Sequence, residues 1–354
     1  MNDFREKLFQ DSKLTKETIP VVVSSRIRLA RNLADFKFVK YACKGDLHAV
    51  AERCEKILSS CPLLMNGMTL NICDLLDYEK LALVERHLCS QEFIIETNES
   101  KLFFTDDHLT SIMINEEDHL RMQVFRYDLN FRTMFDKINA IDDHVSENLN
   151  IAFDNRYGFL TACPTNVGTG MRASVMLHLP ALVITKQISN LILAVQKLGF
   201  VVRGLFGEGS DAQGNFFQIS NQQTLGLAEV DILSRLTQII KSIVDYELNA
   251  REIVKKEKII WLYDNIGRAL GILRGCYCLT SIDAINCISL MLLATDLGYL
   301  PNILRGDLNQ MMMKIQSSHI QVLENRILNS TERDIKRAEL LREFFATVPN
   351  LKFD

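Results

Sequence analysis

Hydrophobic positions in this chain change their period several times, and each change marks an element. Between about Lys101 and Asn221 apolar and polar residues tend to alternate, as half-buried strands require. Residues 109–114 (LTSIMI) and 120–125 (LRMQVF) are two such runs, and Glu116 to His119 between them predicts a hairpin bend or short loop. Further runs at 157–163, 173–179, 200–206 and 215–220 predict more strands. The segments between them repeat at helical spacing instead. Residues 129–145 put Phe131, Met134, Phe135, Ile138 and Ile141 on one face. Residues 184–198 do the same with Ile188, Leu191, Ile192, Val195 and Leu198, and Gly199 follows as a stop.

After Gly226 the strand signal fades. Residues 227–274, 279–297 and parts of 302–346 read as helix, punctuated by Gly275 and Gly298. The expected fold class is α+β: a mainly antiparallel sheet flanked by helices, followed by an all-α C-terminal domain. The boundary is placed near Glu252, giving domains 1–252 and 253–354.

Composition narrows the function. The 354 residues are 47% hydrophobic, enough for sizeable cores. With 40 basic against 44 acidic residues the net charge is -4, so no overall field draws the chain to nucleic acid or membrane. Any anion must meet a local cluster of arginines. No apolar run is long enough to span a bilayer, and the first residues lack the apolar centre of a signal peptide. Nine cysteines without zinc spacing are then expected to be reduced thiols in the cytoplasm.

The chain has no G-x-x-x-x-G-K-[S/T] loop, and "GLFGEGSDAQG" (204–214) does not fit a dinucleotide fingerprint. Arginines are the alternative grip. Arg26 and Arg28 lie two apart in "VVSSRIRLARN" and share one face of an extended strand. Arg121 closes the acidic stretch "INEEDHLR" (114–121), Arg172 follows "PTNVGTGM", and Arg203 precedes "GLFGEG". A planar guanidinium holds phosphate oxygens in pairs and stays charged. Taken singly, each arginine is better explained as a surface charge; only convergence would make a site. Glu117 in the bend and Glu208 between two glycines are the matching acids. If the substrate is itself a guanidinium, two carboxylates would orient it and accept its proton. Chelation of a metal by Glu116, Glu117, Asp118 and His119 is the rival, but adjacent side chains in a turn diverge, so no metal site is expected.

"SSRIRLARN" (24–32), "INEEDHLR" (114–121), "CPTNVGTGMRAS" (163–174) and "RGLFGEGSDAQGNFFQISN" (203–221) resemble the motifs of ATP:guanido phosphotransferases, the creatine and arginine kinases. They occur in the family's order. Only a short lead precedes Ser24, where classical members carry a helical domain that closes over a small substrate; the chain is therefore most similar to the bacterial protein-arginine kinases. The resemblance implies that Arg26, Arg28, Arg121, Arg172 and Arg203 cradle the phosphates of Mg2+-ATP. It implies that Glu117 is the base, Glu208 the second carboxylate of the clamp, Cys163 the reactive thiol beside the guanidinium, and His87 a platform for adenine. The stretch Arg333-Asp-x-x-Arg337-Ala resembles a phosphoarginine-sensing element, although Thr331 and Asp334 also read as a helix-capping pair. Implied partners are protein substrates presenting arginine (among them a DNA-binding stress repressor), a zinc-binding McsA-like activator, the ClpC–ClpP protease, and a second copy in a homodimer. Two other readings stay open: a small-molecule phosphagen kinase, and a non-catalytic adaptor that binds phosphoarginine through the C-terminal helices.

Overall fold

In the computed structural model, which describes residues 20–95, 99–204, 212–300, 305–349 and 351, the alternating segments become ten strands: β1 (Val22–Arg31), β2 (Met68–Asn71), β3 (Lys101–Phe104), β4 (Thr110–Ile114), β5 (Leu120–Arg126), β6 (Phe153–Asp154), β7 (Gly158–Phe159), β8 (Met171–His178), β9 (Phe200–Gly204) and β10 (Phe216–Asn221). Eight of these described strands form one mainly antiparallel sheet in the order β2-β3-β4-β5-β1-β8-β10-β9. The runs around the acidic stretch pair as expected, with Ile114 opposite Leu120 and Ile112 opposite Met122. Strand β5 then pairs with β1, setting Ala30 opposite Arg121, Arg28 opposite Gln123 and Arg26 opposite Phe125.

Two compact units are present. Among the described residues one comprises 24–95, 99–175 and 220–238, and the other comprises 20–23, 176–204, 212–219 and those from 239 onward. In the first, helix α1 (Lys44–Ser60) buries Leu47, Val50, Ala51, Cys54 and Leu58 and packs on β4. A short helix α2 (Asp77–Glu85) follows β2. Helix α3 (Phe131–Asn148) packs Phe131, Met134, Ile138 and Ile141 toward β5, and its start is capped by the Asn130 side chain, which accepts from Thr133 N.

In the second unit, α4 (Pro180–Ile184) and α5 (Ile188–Lys197) replace the single helix expected over 184–198. Lys186 lies between them with φ +60°, a conformation that ends a helix. Gly199 stops α5 with φ +83°. The helix expected over 227–274 is also two, α6 (Glu229–Glu257) and α7 (Ile259–Gly275), separated at Lys258 by its non-helical φ of −131°. Residue 252 falls within α6. Helix α8 (Ser281–Asp296) is apolar nearly all round and is packed against α7, which α11 (Ser330–Ala346) also covers. The short helices α9 (Arg305–Lys314) and α10 (Ser317–Glu324) lie between α8 and α11 in sequence.

The strand expected over 157–163 is reduced to Gly158–Phe159, which pairs with β6 and, through Phe159, bridges to Gly168. Pro164 begins a short 3-10 turn, and the glycines after it allow close backbone approach. Gly170 has φ +63°, and a Cβ there would lie 2.6 Å from Arg31 Nη1 and 2.7 Å from Ala30 O.

Candidate active site

Four of the five predicted phosphate-binding arginines belong to the first unit. Arg26 and Arg28 alternate on β1, Arg121 stands on β5, and Arg172 stands on β8, the neighbour of β1 in the sheet. Their guanidiniums share one electrostatic environment. Loss of water by burial, then repulsion from Arg121 and Arg172, brings Arg26 down to about 10. Arg28 is held well below its ordinary value by burial, then by Arg26, Arg121 and Arg172, with Glu116 opposing. Arg172 donates through Nη2 to Ser220 Oγ at 3.3 Å. Arg121 forms an ion pair with Glu116. Arg26 and Arg28 have no ion-pair partner among the described residues, and Arg28 Nε is buried without a hydrogen-bond acceptor. A group of cations so under-neutralised favours an anion with several oxygens.

The acidic stretch is a tight turn in which almost every side chain is committed. Asn115, at φ +58°, donates from Nδ2 to Leu47 O and Glu99 O. Glu116 accepts from Ser90 Oγ at 2.6 Å besides pairing with Arg121. Asp118 accepts from Asn32 Nδ2 and Ala162 N, both at 2.6 Å. His119 accepts from Leu33 N through Nδ1 at 3.1 Å, so its proton is on Nε2, which donates to Lys37 O at 3.0 Å. Burial holds the His119 pKa below its ordinary value, consistent with a neutral ring. These engagements remove the chelating arrangement considered from sequence. Glu117 remains: exposed, without an ion-pair partner among the described residues, and with its carboxyl raised by partial burial, then by Asp118 and Glu116, against the pull of Arg121. A carboxylate so placed holds a proton more readily than a free one, which suits a general base.

Cys163 precedes the 3-10 turn and is half-buried, with Sγ 3.0 Å from Thr165 Oγ1. Asp118 ties it to the acidic turn through the adjacent Ala162. His87 is not on a helix face: it lies beyond the end of α2 at φ +62°. Its ring stacks on Phe125 at 5.7 Å and 25°, and Phe125 is the register partner of Arg26.

Arg203 is exposed on β9 of the second unit, and Glu208 lies outside the described residues. Arg333 and Arg337 lie on α11, whose cap is not Thr331 with Asp334. Asn329 and Glu332 form that capping box instead, because the helix starts two residues earlier than that pairing needs. Asp334 pairs with Arg337, which is fully buried and also donates to Ile315 O at 2.8 Å and Leu279 O at 3.0 Å. Arg333 is half-buried and donates to Leu328 O at 2.9 Å. Sequence reasoning passed over Asn32, Asp118 and His119 as functional supports. The signal for them was their place inside the same motifs as Arg28 and Glu117.

Comparison with known proteins gives the family. Residues 49–250 match the ATP:guanido phosphotransferase C-terminal catalytic domain, and residues 260–354 match the protein-arginine kinase McsB C-terminal domain. The chain is 42% identical over 325 residues to a protein-arginine kinase of Geobacillus stearothermophilus, covering 91% of this chain and 90% of that one. It is 41% identical over 322 residues to a protein-arginine kinase of Halothermothrix orenii, covering 91% and 92%. Among solved structures, the duplicated taurocyamine kinase of Schistosoma mansoni with bound transition-state-analogue components aligns at TM-score 0.60 and 25% identity. That alignment spans 70% of this chain and 36% of the longer one. A lombricine kinase aligns at TM-score 0.57 and 24% identity, over 67% and 70%, and shares the fold.

Proposed function

The chain belongs to the ATP:guanido phosphotransferase family and is a kinase, and on that premise we propose that it transfers the γ-phosphoryl of Mg2+-ATP to arginine side chains of other proteins. The observation that carries the reading is the pairing of two features in one unit: four guanidiniums in a common field, with Arg26 and Arg28 lacking an ion-pair partner among the described residues, and one uncommitted carboxylate on the turn that Arg121 closes. The match of residues 260–354 to the protein-arginine kinase C-terminal domain supports a protein acceptor over a free guanidino compound. It also supports the division into a catalytic domain, 1–252, and a helical domain, 253–354.

In this reading Arg26, Arg28, Arg121, Arg172 and Arg203 offset charge on the phosphate oxygens. Glu117 and Glu208 hold the acceptor guanidinium in line, with Cys163 beside it. As the N–P bond forms and the bond from phosphorus to the bridging oxygen of ADP breaks, Glu117 takes the proton leaving the nitrogen. His87 and Phe125 offer a flat surface for the base. We propose that Mg2+ arrives with the nucleotide, held by phosphate oxygens and water rather than by a dedicated set of side chains. Bound there, Mg2+ would draw charge from the β- and γ-oxygens.

The product arginine has lost its cation and with it the salt bridges and nucleic-acid phosphate contacts that it made. We propose, as the resemblance implies, that this loss releases a repressor from DNA and that the modification marks proteins for ClpC–ClpP. We further propose action in the cytoplasm as a homodimer with an McsA-like activator, and a phosphoarginine response through Arg333, Asp334 and Arg337. No described helix is long and apolar enough to cross a membrane.

The test is incubation with Mg2+-ATP and either a folded arginine-rich protein or free arginine, followed by mass spectrometry under non-acidic handling. Acid-labile phosphate on protein arginine is expected. Equal consumption of free arginine would favour a small-molecule kinase, and unchanged incorporation by Glu117→Gln would overturn the assigned base.

A further inference from the structure

The turn that carries Glu117 is held by more than its own hairpin. Asn32, wholly buried just beyond β1, uses both ends of its amide. Its Oδ1 accepts from His119 N at 2.9 Å, and its Nδ2 donates to Asp118 Oδ1 at 2.6 Å and Leu160 O at 3.1 Å. The same Asp118 oxygen accepts from Ala162 N at 2.6 Å. One carboxylate oxygen therefore joins the end of the strand bearing Arg26 and Arg28, the turn bearing Glu117, and the segment that leads into Cys163.

Asp118 is only 2% exposed and has no ion-pair partner among the described residues. Taking a carboxylate out of water without a cation is unfavourable, and a neutral amide would accept the same two hydrogen bonds without a buried charge. Burial raises the Asp118 carboxyl above its ordinary value, and the hydrogen bonds from Ala162 and Asn32 oppose that rise. Its charge is felt by the next residue along the chain, where it is the second contribution, after burial, to the raised carboxyl of Glu117.

We infer that Asp118 is a positioning residue for the reaction: its hydrogen bonds to Asn32 and Ala162 fix Glu117 against the arginine strand and the Cys163 segment. Its negative charge on the neighbouring position supports the same role by favouring the protonated form of Glu117. The inference rests on the assignment of Glu117 as the proton acceptor. It deepens that reading by separating the geometry of the base from its basicity, since the two properties respond to different substitutions of one residue.

The experiment compares Asp118→Ala, Asp118→Asn and Glu117→Gln in the full chain, with Mg2+-ATP and a protein acceptor. Readouts are kcat, KM for each substrate, nucleotide binding, and the pH profile of kcat. Asp118→Ala loses both hydrogen bonds; kcat is expected to fall about 100-fold, as a misplacement near 1 Å would cause, with nucleotide affinity held within about threefold. Asp118→Asn keeps an oxygen for both donors, so kcat is expected within about tenfold of wild type. Its acid limb should move to lower pH, because the neighbouring charge that raised Glu117 is gone.

Turnover of Asp118→Ala within about threefold of wild type, or a loss matched by lost nucleotide binding, would overturn the inference. Should Asp118→Ala fail to fold, the Asp118→Asn profile decides, and an unmoved acid limb overturns it. Active Glu117→Gln would instead sink the functional reading. Inactive Glu117→Gln beside wild-type behaviour in both Asp118 variants removes this inference alone.

Discussion

Glu116 and Arg121 pair across the acidic turn, and Glu117 beside them is left without a cation of its own among the described residues. Two adjacent glutamates thus have opposite assignments, one fixing an arginine and the other facing outward. Glu117→Gln is expected to lower kcat by about 100-fold or more while leaving the KM for ATP nearly unchanged. Glu116→Gln should do the reverse, raising the KM for ATP as Arg121 loses its anchor, with a smaller change in kcat. Steady-state kinetics with both variants checks the division of roles.

The arginine cluster predicts strong stabilisation by polyanions. Inorganic triphosphate at 100 times its Kd should stabilise the protein by about 2.7 kcal/mol and raise the melting temperature accordingly. Arg28→Ala removes a guanidinium whose Nε has no protein acceptor, so it should raise the KM for ATP about tenfold or more. Its own melting temperature without ligand should not fall in proportion, because the substitution also relieves repulsion from Arg26. Thermal scans with and without triphosphate measure both effects.

The pH dependence has a definite sign. Glu117 is raised, so turnover should fall on the acid side as it takes up its proton, with a limb above the ordinary glutamate value of about 4.3. A carboxyl whose folded pKa exceeds its unfolded one stabilises the fold below the unfolded pKa, and that contribution is lost as pH rises through the folded pKa. At neutral pH Glu117→Gln should therefore melt at or slightly above wild type, and the difference should shrink toward acid pH. Calorimetry across that range would show it.

On α11 the two arginines of the sensing element have different dependences on the fold. Arg337 is buried and bound to Asp334 and two main-chain carbonyls, so Arg337→Ala should cost about 3 kcal/mol and lower the melting temperature by several degrees. Arg333 is half-buried with one carbonyl acceptor, and Arg333→Ala should leave stability within about 1 kcal/mol. A phosphoarginine response lost in Arg333→Ala, with melting unchanged, would belong to binding; a response lost only in Arg337→Ala would belong to the fold.

Legibility in the sequence followed the range of the interaction. The β4–β5 hairpin was readable because alternation on both sides of Glu116–His119 fixes its register locally. The strand over 157–163 was over-read, since apolar residues alone do not reveal that Gly158 at φ +77° and Pro164 confine pairing to two residues. The break at Lys258 carries no proline or glycine and left no local signal. Arg26 and Arg28 could be put on one face, but their approach to Arg121 and Arg172 depends on β1 lying between β5 and β8, a long-range pairing that periodicity cannot supply. The supporting residues Asn32 and Asp118 were inside recognised motifs, yet their function is defined by partners more than 40 positions away.

A grip made of guanidiniums senses how many phosphates arrive, and it is blind to the purine or pyrimidine attached to them. In the proposed enzyme, the ledge formed by His87 and Phe125, whose rings stack beside Arg26 in register, would then set preference among nucleoside triphosphates. Remodelling that ledge would be the way to broaden or redirect the phosphate donor without touching the transfer chemistry.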